Sequence, residues 1–583
     1  MSNPSPREII RRHIIDNNHS DSDYFAAISA LVSLRNMTKD QEARQEIQAE
    51  IDMIYGLLRD EIITNTGPPL SRVKFGTSGW RGILGKDLNI RTVAFVTAAI
   101  LSLYRDAAQD EELREALGVS GLEDARIRGC VIGFDNRFGG ELLACSAMNV
   151  LAANSIPILY AGESTTGALS AMVMESNAAF SINLTPSHNP LEYGGFKYNA
   201  ADAGPAAPVL TNRITRQANR FLDDGKTELI PAGTDLLRPR TEIAGISEEN
   251  GLRHWQSLVR KNREIHGIDY DGLLLQLREN NDIVVAVDCV HGASKRDIGD
   301  LLGKPGEKLK ILRGNEDFTF GGIAPEPSSK NMEPVVDLLK NRSEKYKLGA
   351  IIDPDGDRIR FTDGETEISM NQFGAMAYYF LHEVKGKKGM VAKTVATSNF
   401  ANRIAELLGE EVFEPRVGFK EFKPVIGKAL VFFEESDGIS IIGHTPEKDA
   451  YIGLLLALDM TLSLNKNLGD FLGEIEERFG RYYPDRDGVT VSLQGEELKQ
   501  RLARLEKYDR GRTIDIGGIA KKITQVITID GRKMILEDGS WIMIRPSGTE
   551  PKVRFYVEAR AAEDTEKLVA AAKSMLAEIG LLP

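Results

Sequence analysis

The chain has 583 residues, of which 42% are hydrophobic and 27% charged, and it carries a net charge of −13. That length predicts roughly three to five domains at ~100–200 residues each, and the composition excludes wholesale disorder. The acidic balance offers no basic face to a nucleic-acid backbone, so the positive charge for any anionic ligand must be gathered locally. Cys130, Cys145 and Cys289 form no CxxC pair, which argues against a structural zinc site and a disulfide framework. The first residues lack the apolar run of a signal peptide, and the apolar stretch 451–460 falls short of the ~18–20 residues of a transmembrane helix. A cytoplasmic protein without nucleic-acid or membrane partners is expected.

Residues 1–66 read as helix. Ser5-Pro6-Arg7-Glu8 is a capping box with Pro at the first helical position. Thr38-Lys39-Asp40-Gln41 reads as a second box, followed by Ile47, Ile51, Ile54 and Leu58 at helical spacing. Gly67-Pro68-Pro69 ends the run. Beyond it, buried-type strands lead into polar loops: 129–134 before Asp135-Asn136-Arg137, 283–287 before Asp288, 348–352 before Asp353, and 389–393 before Thr394. Helical patterns such as 334–339 and 400–408 lie between them. The alternation predicts α/β units with mainly parallel strands, whose ligands sit off the carboxyl ends of the strands. The last hundred residues differ. Asp530-Gly531-Arg532 and Asp538-Gly539-Ser540 read as hairpin turns among strands 526–529, 541–544 and 553–557, with a final helix over about 562–579. Residues 481–487 read as the linker to this α+β domain.

Five polar motifs fall in these loops. Lys74-Phe75-Gly76-Thr77-Ser78-Gly79-Trp80-Arg81-Gly82 combines glycines, hydroxyls and an arginine able to approach a phosphate. Thr185-Pro186-Ser187-His188-Asn189-Pro190 sets a serine between two prolines; no G-x-S-x-G elbow exists to make it a hydrolase nucleophile. Asp353-Pro354-Asp355-Gly356-Asp357-Arg358 brings three carboxylates together after a buried strand, and hard oxygen ligands of this kind suit Mg²⁺. Phe433-Glu434-Glu435-Ser436-Asp437-Gly438 pairs a carboxylate with a hydroxyl, a combination that grips neighbouring sugar hydroxyls. Arg545-Pro546-Ser547-Gly548-Thr549-Glu550, with Lys552 and Arg554, forms a phosphate cradle from amides, hydroxyls and guanidinium groups.

Taken together and in this order, the motifs resemble the α-D-phosphohexomutase superfamily, the phosphoglucomutase and phosphomannomutase group, from about Lys74 to the C-terminus. The resemblance is strongest to phosphoglucomutases. It implies three similar mixed α/β domains and a smaller C-terminal α+β domain around a central cleft, preceded by an N-terminal helical extension. The expected segments are 1–69 for the extension, 70–232 for the phosphoserine domain, 233–366 for the metal-loop domain, 367–480 for the sugar-loop domain and 481–583 for the phosphate-loop domain. It further implies that Ser187 is the phosphorylated residue, and that Ser187, Asp353, Asp355 and Asp357 hold Mg²⁺. Glu434, Ser436, Gly418, Arg545, Ser547, Gly548, Thr549 and Arg554 would bind substrate, with Arg81 and Arg358 beside the reacting groups. Lys197 and Lys448 both match the family's proton carriers. The implied reaction interconverts a sugar 1-phosphate and a sugar 6-phosphate, glucose first, through a sugar 1,6-bisphosphate that also serves as activator. Phosphomannomutase and phosphopentomutase activities are the alternatives within the superfamily; a metal-dependent sugar phosphatase is the alternative outside it.

Overall fold

In the computed structural model, which describes residues 4–76, 78–547 and 552–582, the first capping box closes as predicted. Ser5 N donates to Glu8 Oε2 at 2.7 Å and Glu8 N to Ser5 Oγ at 3.4 Å, heading helix Pro6–His13. The second box does not form. Asp40 caps helix Gln41–Thr64, its carboxylate accepting from Ala43 N at 2.8 Å, while Thr38 ends helix Tyr24–Met37 with its hydroxyl donating to Leu34 O at 2.8 Å. A carboxylate suits the positive end of a helix better than a hydroxyl does. Ile47, Ile51, Ile54 and Leu58 are buried as their spacing predicts.

The chain forms two compact units. One comprises Met1–Arg263, Asp269–Gly364 and His444–Leu455; the other comprises Glu264–Ile268, Glu365–Gly443 and Leu456–Pro583. In the first unit a six-stranded sheet runs in the order Trp80–Ile83, Tyr193–Asn199, Phe180–Leu184, Cys130–Phe134, Ile158–Glu163 and Ile246–Glu248. Cys130–Phe134 is parallel to both of its neighbours, and Tyr193–Asn199 is antiparallel to both of its own. Helix Ile90–Asp106 is buried over most of its length, and Gly140–Ala153 and Pro208–Asp224 complete the cover. The N-terminal helices join this core: Ile51, Ile54, Leu58 and Ile62 pack in one cluster with Val93, Ile132 and Ile182. A second sheet of this unit places Ile359–Thr362, Tyr346–Ile352, Ile283–Asp288 and Leu309–Leu312 side by side, with Ile283–Asp288 parallel to both neighbours. All six residues of Ile283–Asp288 are buried, as befits a central parallel strand.

In the second unit a four-stranded sheet orders Val412–Phe413, Val391–Lys393, Val431–Glu434 and Gly438–Ile441. An antiparallel sheet orders Tyr483–Thr490, Lys552–Ala559, Trp541–Pro546, Arg532–Leu536, Ile519–Ile527 and Thr513–Ile516, with helix Thr565–Glu578 packed on it. Residues 481–487 are thus largely strand rather than linker, and the strand expected at 526–529 ends at Ile527. Among the described residues, no helix is long and apolar enough to cross a membrane.

Candidate active site

Strand Phe180–Leu184 delivers the serine loop, and strand Tyr346–Ile352 delivers the aspartate loop. Ser187 is 1% exposed, and its Oγ donates to Asp353 Oδ2 at 2.8 Å. Asp357 Oδ1 lies 3.5 Å from the same hydroxyl, and His188 Nδ1 lies 3.3 Å away. The aspartate loop is a tight turn. Gly356 N donates to Asp353 O at 3.0 Å, and the amides of Asp357 and Arg358 each donate to Asp353 Oδ1 at 3.0 Å. Gly356 sits at φ +65°, and a Cβ there would lie 2.6 Å from Thr165 Cγ2, so both backbone and space require glycine.

One carboxylate oxygen from each of Asp353, Asp355 and Asp357 lies within 4.8 Å of the others. The three side chains are buried, and Asp355 Oδ1 has no hydrogen-bond partner. A buried carboxylate oxygen with free lone pairs, inside an all-oxygen cluster, fits a hard divalent cation. Positive side chains surround the cluster. Lys197, on strand Tyr193–Asn199, places Nζ 2.5 Å from Asp355 Oδ2 and 2.8 Å from Asp357 Oδ2. Lys448 Nζ lies 3.0 Å from Asp357 Oδ2, and Arg358 Nε 3.7 Å from Asp357 Oδ1. Arg81, on strand Trp80–Ile83, is half-buried and lies within the field of Arg358, Asp357 and Asp355.

The electrostatics follow from this crowding. Burial, and then the charges of Asp355 and Asp357, push the Asp353 carboxyl well above the ordinary range. Burial pushes Asp357 the same way, but Lys197, Lys448 and Arg358 overcome it and hold that carboxyl well below. Lys197 is desolvated, yet Asp355 and Asp357 raise it above an ordinary lysine. Burial, then Arg358 and Arg81, hold His188 well below the usual imidazole range, so the ring is neutral.

The second unit carries the other predicted residues. Glu434 ends strand Val431–Glu434; its Oε1 accepts from Gly418 N at 2.9 Å and its Oε2 from Ser436 Oγ at 3.3 Å. Arg545 and Arg554 stand opposite each other on paired strands. Arg545 Nε lies 3.0 Å from Asp530 Oδ2, which also accepts from Val417 N at 3.1 Å. Asp530 therefore ties the loop that holds Glu434 to the strand that carries Arg545. Ser547 N donates to Lys552 O at 2.8 Å. Gly548 and Thr549, like Thr77, lie outside the described residues.

Four models of one family match the chain in order: phosphoglucomutase/phosphomannomutase domain I over residues 72–222, domain II over 272–366, domain III over 369–482 and the C-terminal domain over 497–574. The chain belongs to this family. It is an isomerase of the intramolecular phosphotransferase kind, a member of the α-D-phosphohexomutase superfamily that the motifs resemble. A phosphoglucomutase from Komagataeibacter xylinus is 26% identical over 558 residues, covering 89% of this chain and 92% of that one. The open form of pp63/parafusin, a phosphoglucomutase from Paramecium, matches the fold with a TM-score of 0.67 at 21% identity, covering 88% of this chain and 96% of that chain. The Aspergillus fumigatus N-acetylphosphoglucosamine mutase, solved with GlcNAc-6P and magnesium, matches with a TM-score of 0.52 at 13% identity, covering 90% and 99%.

Three residues of this phosphohexomutase's loops carried no sequence signal of a role at the site. Thr166 heads helix Thr166–Ser176; its hydroxyl donates to Asp355 Oδ2 at 2.9 Å and its amide to Asp355 O at 2.8 Å. Glu447 is buried beside Lys448 and accepts from Asn199 Nδ2 at 3.2 Å, and burial pushes its carboxyl up to about 7. Asp530 reads as an ordinary Asp-Gly turn, and only its distant partners Val417 and Arg545 give it a further role.

Proposed function

We propose that the chain interconverts glucose 1-phosphate and glucose 6-phosphate through a phosphoserine at Ser187 and a glucose 1,6-bisphosphate intermediate. The observation that carries this reading is the Ser187 hydroxyl 2.8 Å from Asp353, beside three buried carboxylates, in a chain of this family. Asp353, Asp355 and Asp357, with the phosphoserine, would hold Mg²⁺, which when bound supplies charge neutralisation for the transferring phosphoryl group. That a related mutase was solved with magnesium supports this choice of ion.

In the first half-reaction the sugar's O6 attacks the phosphorus on Ser187. The P–Oγ bond breaks, a P–O6 bond forms, and the O6 proton passes to a base. That proton then passes to the departing Oγ. After the bisphosphate turns round, Ser187 Oγ attacks the phosphorus on O1: a P–Oγ bond forms, the P–O1 bond breaks, and the Oγ proton passes through the same carrier to O1. Lys197 spans two carboxylates that raise it, so its role is to keep the aspartate loop compact. Lys448, with one carboxylate contact, is the proton carrier. Arg81 and Arg358 face the charge on the transferring group. Glu434 and Ser436 grip adjacent sugar hydroxyls, which two sugar orientations can present alike. Arg545 and Arg554, opposite each other on paired strands, bring two guanidinium groups together for a phosphate, with Ser547, Gly548 and Thr549 completing the cradle. Glucose is favoured over mannose, glucosamine or pentose phosphates because the Glu434-Glu435-Ser436 order resembles phosphoglucomutases.

The test supplies purified protein with Mg²⁺, a trace of glucose 1,6-bisphosphate and glucose 1-phosphate, and follows glucose 6-phosphate. Mannose, glucosamine and ribose 1-phosphates run in parallel. Fastest conversion of the glucose substrate, reduced to background in a folded Ser187→Ala variant, is the expected result. Faster turnover of another sugar would move the substrate, and release of inorganic phosphate without isomerisation would replace the mutase by a phosphatase.

A further inference from the structure

Ser187 has φ +57°, in the left-handed region that a serine adopts only at a cost of roughly 1–2 kcal/mol. Such a conformation persists where the surroundings over-determine it. The surroundings here are Asp135, Arg137 and Thr185. Thr185 Oγ1 accepts from Ser187 N at 2.8 Å and donates to Asp135 Oδ2 at 2.7 Å. Asp135 Oδ1 accepts from Arg137 N at 3.0 Å, and Asp135 Oδ2 lies 3.6 Å from Arg137 Nε. The Arg137 guanidinium then turns to the loop itself. Nη2 donates to Ser187 O at 2.9 Å and to Asn189 O; Nη1 donates to Pro190 O at 2.7 Å and to Tyr193 O at 3.3 Å.

The arrangement is closed from both sides. The guanidinium lies 4.9 Å from the centre of the Phe320 ring, and a Cβ on Gly195 would come within 2.2 Å of Thr185 O. Asp135, Arg137, Thr185 and Ser187 are all buried. Burying an arginine is unfavourable unless its donors are met. Apart from Asp135, the groups that meet this one are carbonyls on and just after the serine loop. A planar fork can reach several such carbonyls at once, whereas an ammonium is a point charge.

We infer that Arg137 and Thr185, backed by Asp135, are positioning residues that hold Ser187 in its left-handed conformation and so aim its Oγ at the phosphorus it exchanges. This rests on the phosphoserine reading above. None of the three is required to touch the sugar. Their loss slows phosphoryl transfer to and from Ser187 without reducing the number of competent molecules.

The experiment reads those two quantities separately. Dephosphorylated full-length enzyme with Mg²⁺ is mixed with glucose 1,6-bisphosphate carrying labelled phosphate, and label on the protein is followed in time. The plateau counts competent molecules, and the rate constant reports the geometry of transfer. Arg137→Lys and Thr185→Val are expected to approach the wild-type plateau about 100-fold more slowly, the scale of a misplacement of ~1 Å. Thr185→Ser, which keeps the hydroxyl, is expected to restore the rate. A rate constant within about tenfold of wild type in both variants overturns the proposal, whatever the plateau, since a lower plateau at an unchanged rate marks a purely structural role. If Arg137→Lys does not accumulate folded, Thr185→Val decides alone by the same criterion. Wild-type enzyme that takes up no label from the labelled bisphosphate of glucose, nor from those of mannose, glucosamine and ribose, would instead refute the phosphoserine itself, and the proposal with it.

Discussion

Lys393 and Lys533 are both fully buried and share one carboxylate: Glu414 lies 2.7 Å from the first ammonium and 3.4 Å from the second. Burial pushes Glu414 up, but the two lysines overcome it and bring it down to about 2. The second lysine does less well. Burial, then the charge of Lys393, pushes Lys533 down to about 7, against the pull of Glu414 and Glu558. Between pH 7 and the ordinary lysine range, unfolded Lys533 therefore binds a proton that the folded chain does not, so stability rises with pH across that window. The contribution is complete above the unfolded pKa and is lost as pH falls to about 7. Lys533→Met removes the dependence. Its melting temperature, compared with wild type, is expected to be more favourable at pH 6.5 than at pH 9.5. Equal differences at the two pH values would mean that the ammonium is not desolvated as its surroundings require.

Helix Gln41–Thr64 belongs to the core of the first unit as much as any strand does. Its Tyr55 ring packs 4.6 Å from Phe138 and 5.9 Å from Phe318, which are themselves 5.5 Å apart. Truncating a buried aromatic leaves a cavity, so Tyr55→Ala is expected to destabilise the chain by about 3–5 kcal/mol. A denaturant midpoint within error of wild type would show the helix to be an appendage. That this segment was helical could be read from Ile47, Ile51, Ile54 and Leu58, because period 3.6 is written locally. Strand Tyr483–Thr490 could not be read in the same way. It is largely exposed, carries Pro484, and pairs with Lys552–Ala559, so the partner that makes it a strand lies far along the chain. The choice of Asp40 over Thr38 as cap is likewise a competition that a motif match does not resolve.

Across the molecule, the chemistry-bearing residue types were legible because the serine, aspartate and sugar-loop motifs each follow or end a buried strand, but their meeting points were not. Ser187, Lys197, the aspartate loop and Lys448 converge from positions up to 261 residues apart, and Thr166, Arg137 and Asp530 gain roles only through partners distant in the chain. The aspartate loop also couples to global stability. Three buried carboxylates within 4.8 Å repel one another, and Lys197, Lys448 and Arg358 offset this in part, leaving Asp355 Oδ1 without a hydrogen-bond partner. A divalent cation that binds the folded loop and not the unfolded chain stabilises by RT ln(1 + [L]/Kd), about 2.7 kcal/mol at a hundredfold excess over Kd. Mg²⁺ is therefore expected to raise the melting temperature by a few degrees relative to EDTA, with Ca²⁺ or Mn²⁺ as controls for the oxygen cage. Asp355→Asn removes one charge and weakens the ligand that carries the free oxygen. It is expected to lose most of the Mg²⁺-induced shift, each variant's melting in Mg²⁺ being compared with its own melting in EDTA. Identical melting of the wild-type chain in saturating Mg²⁺ and in EDTA would show that the three aspartates are not a metal site.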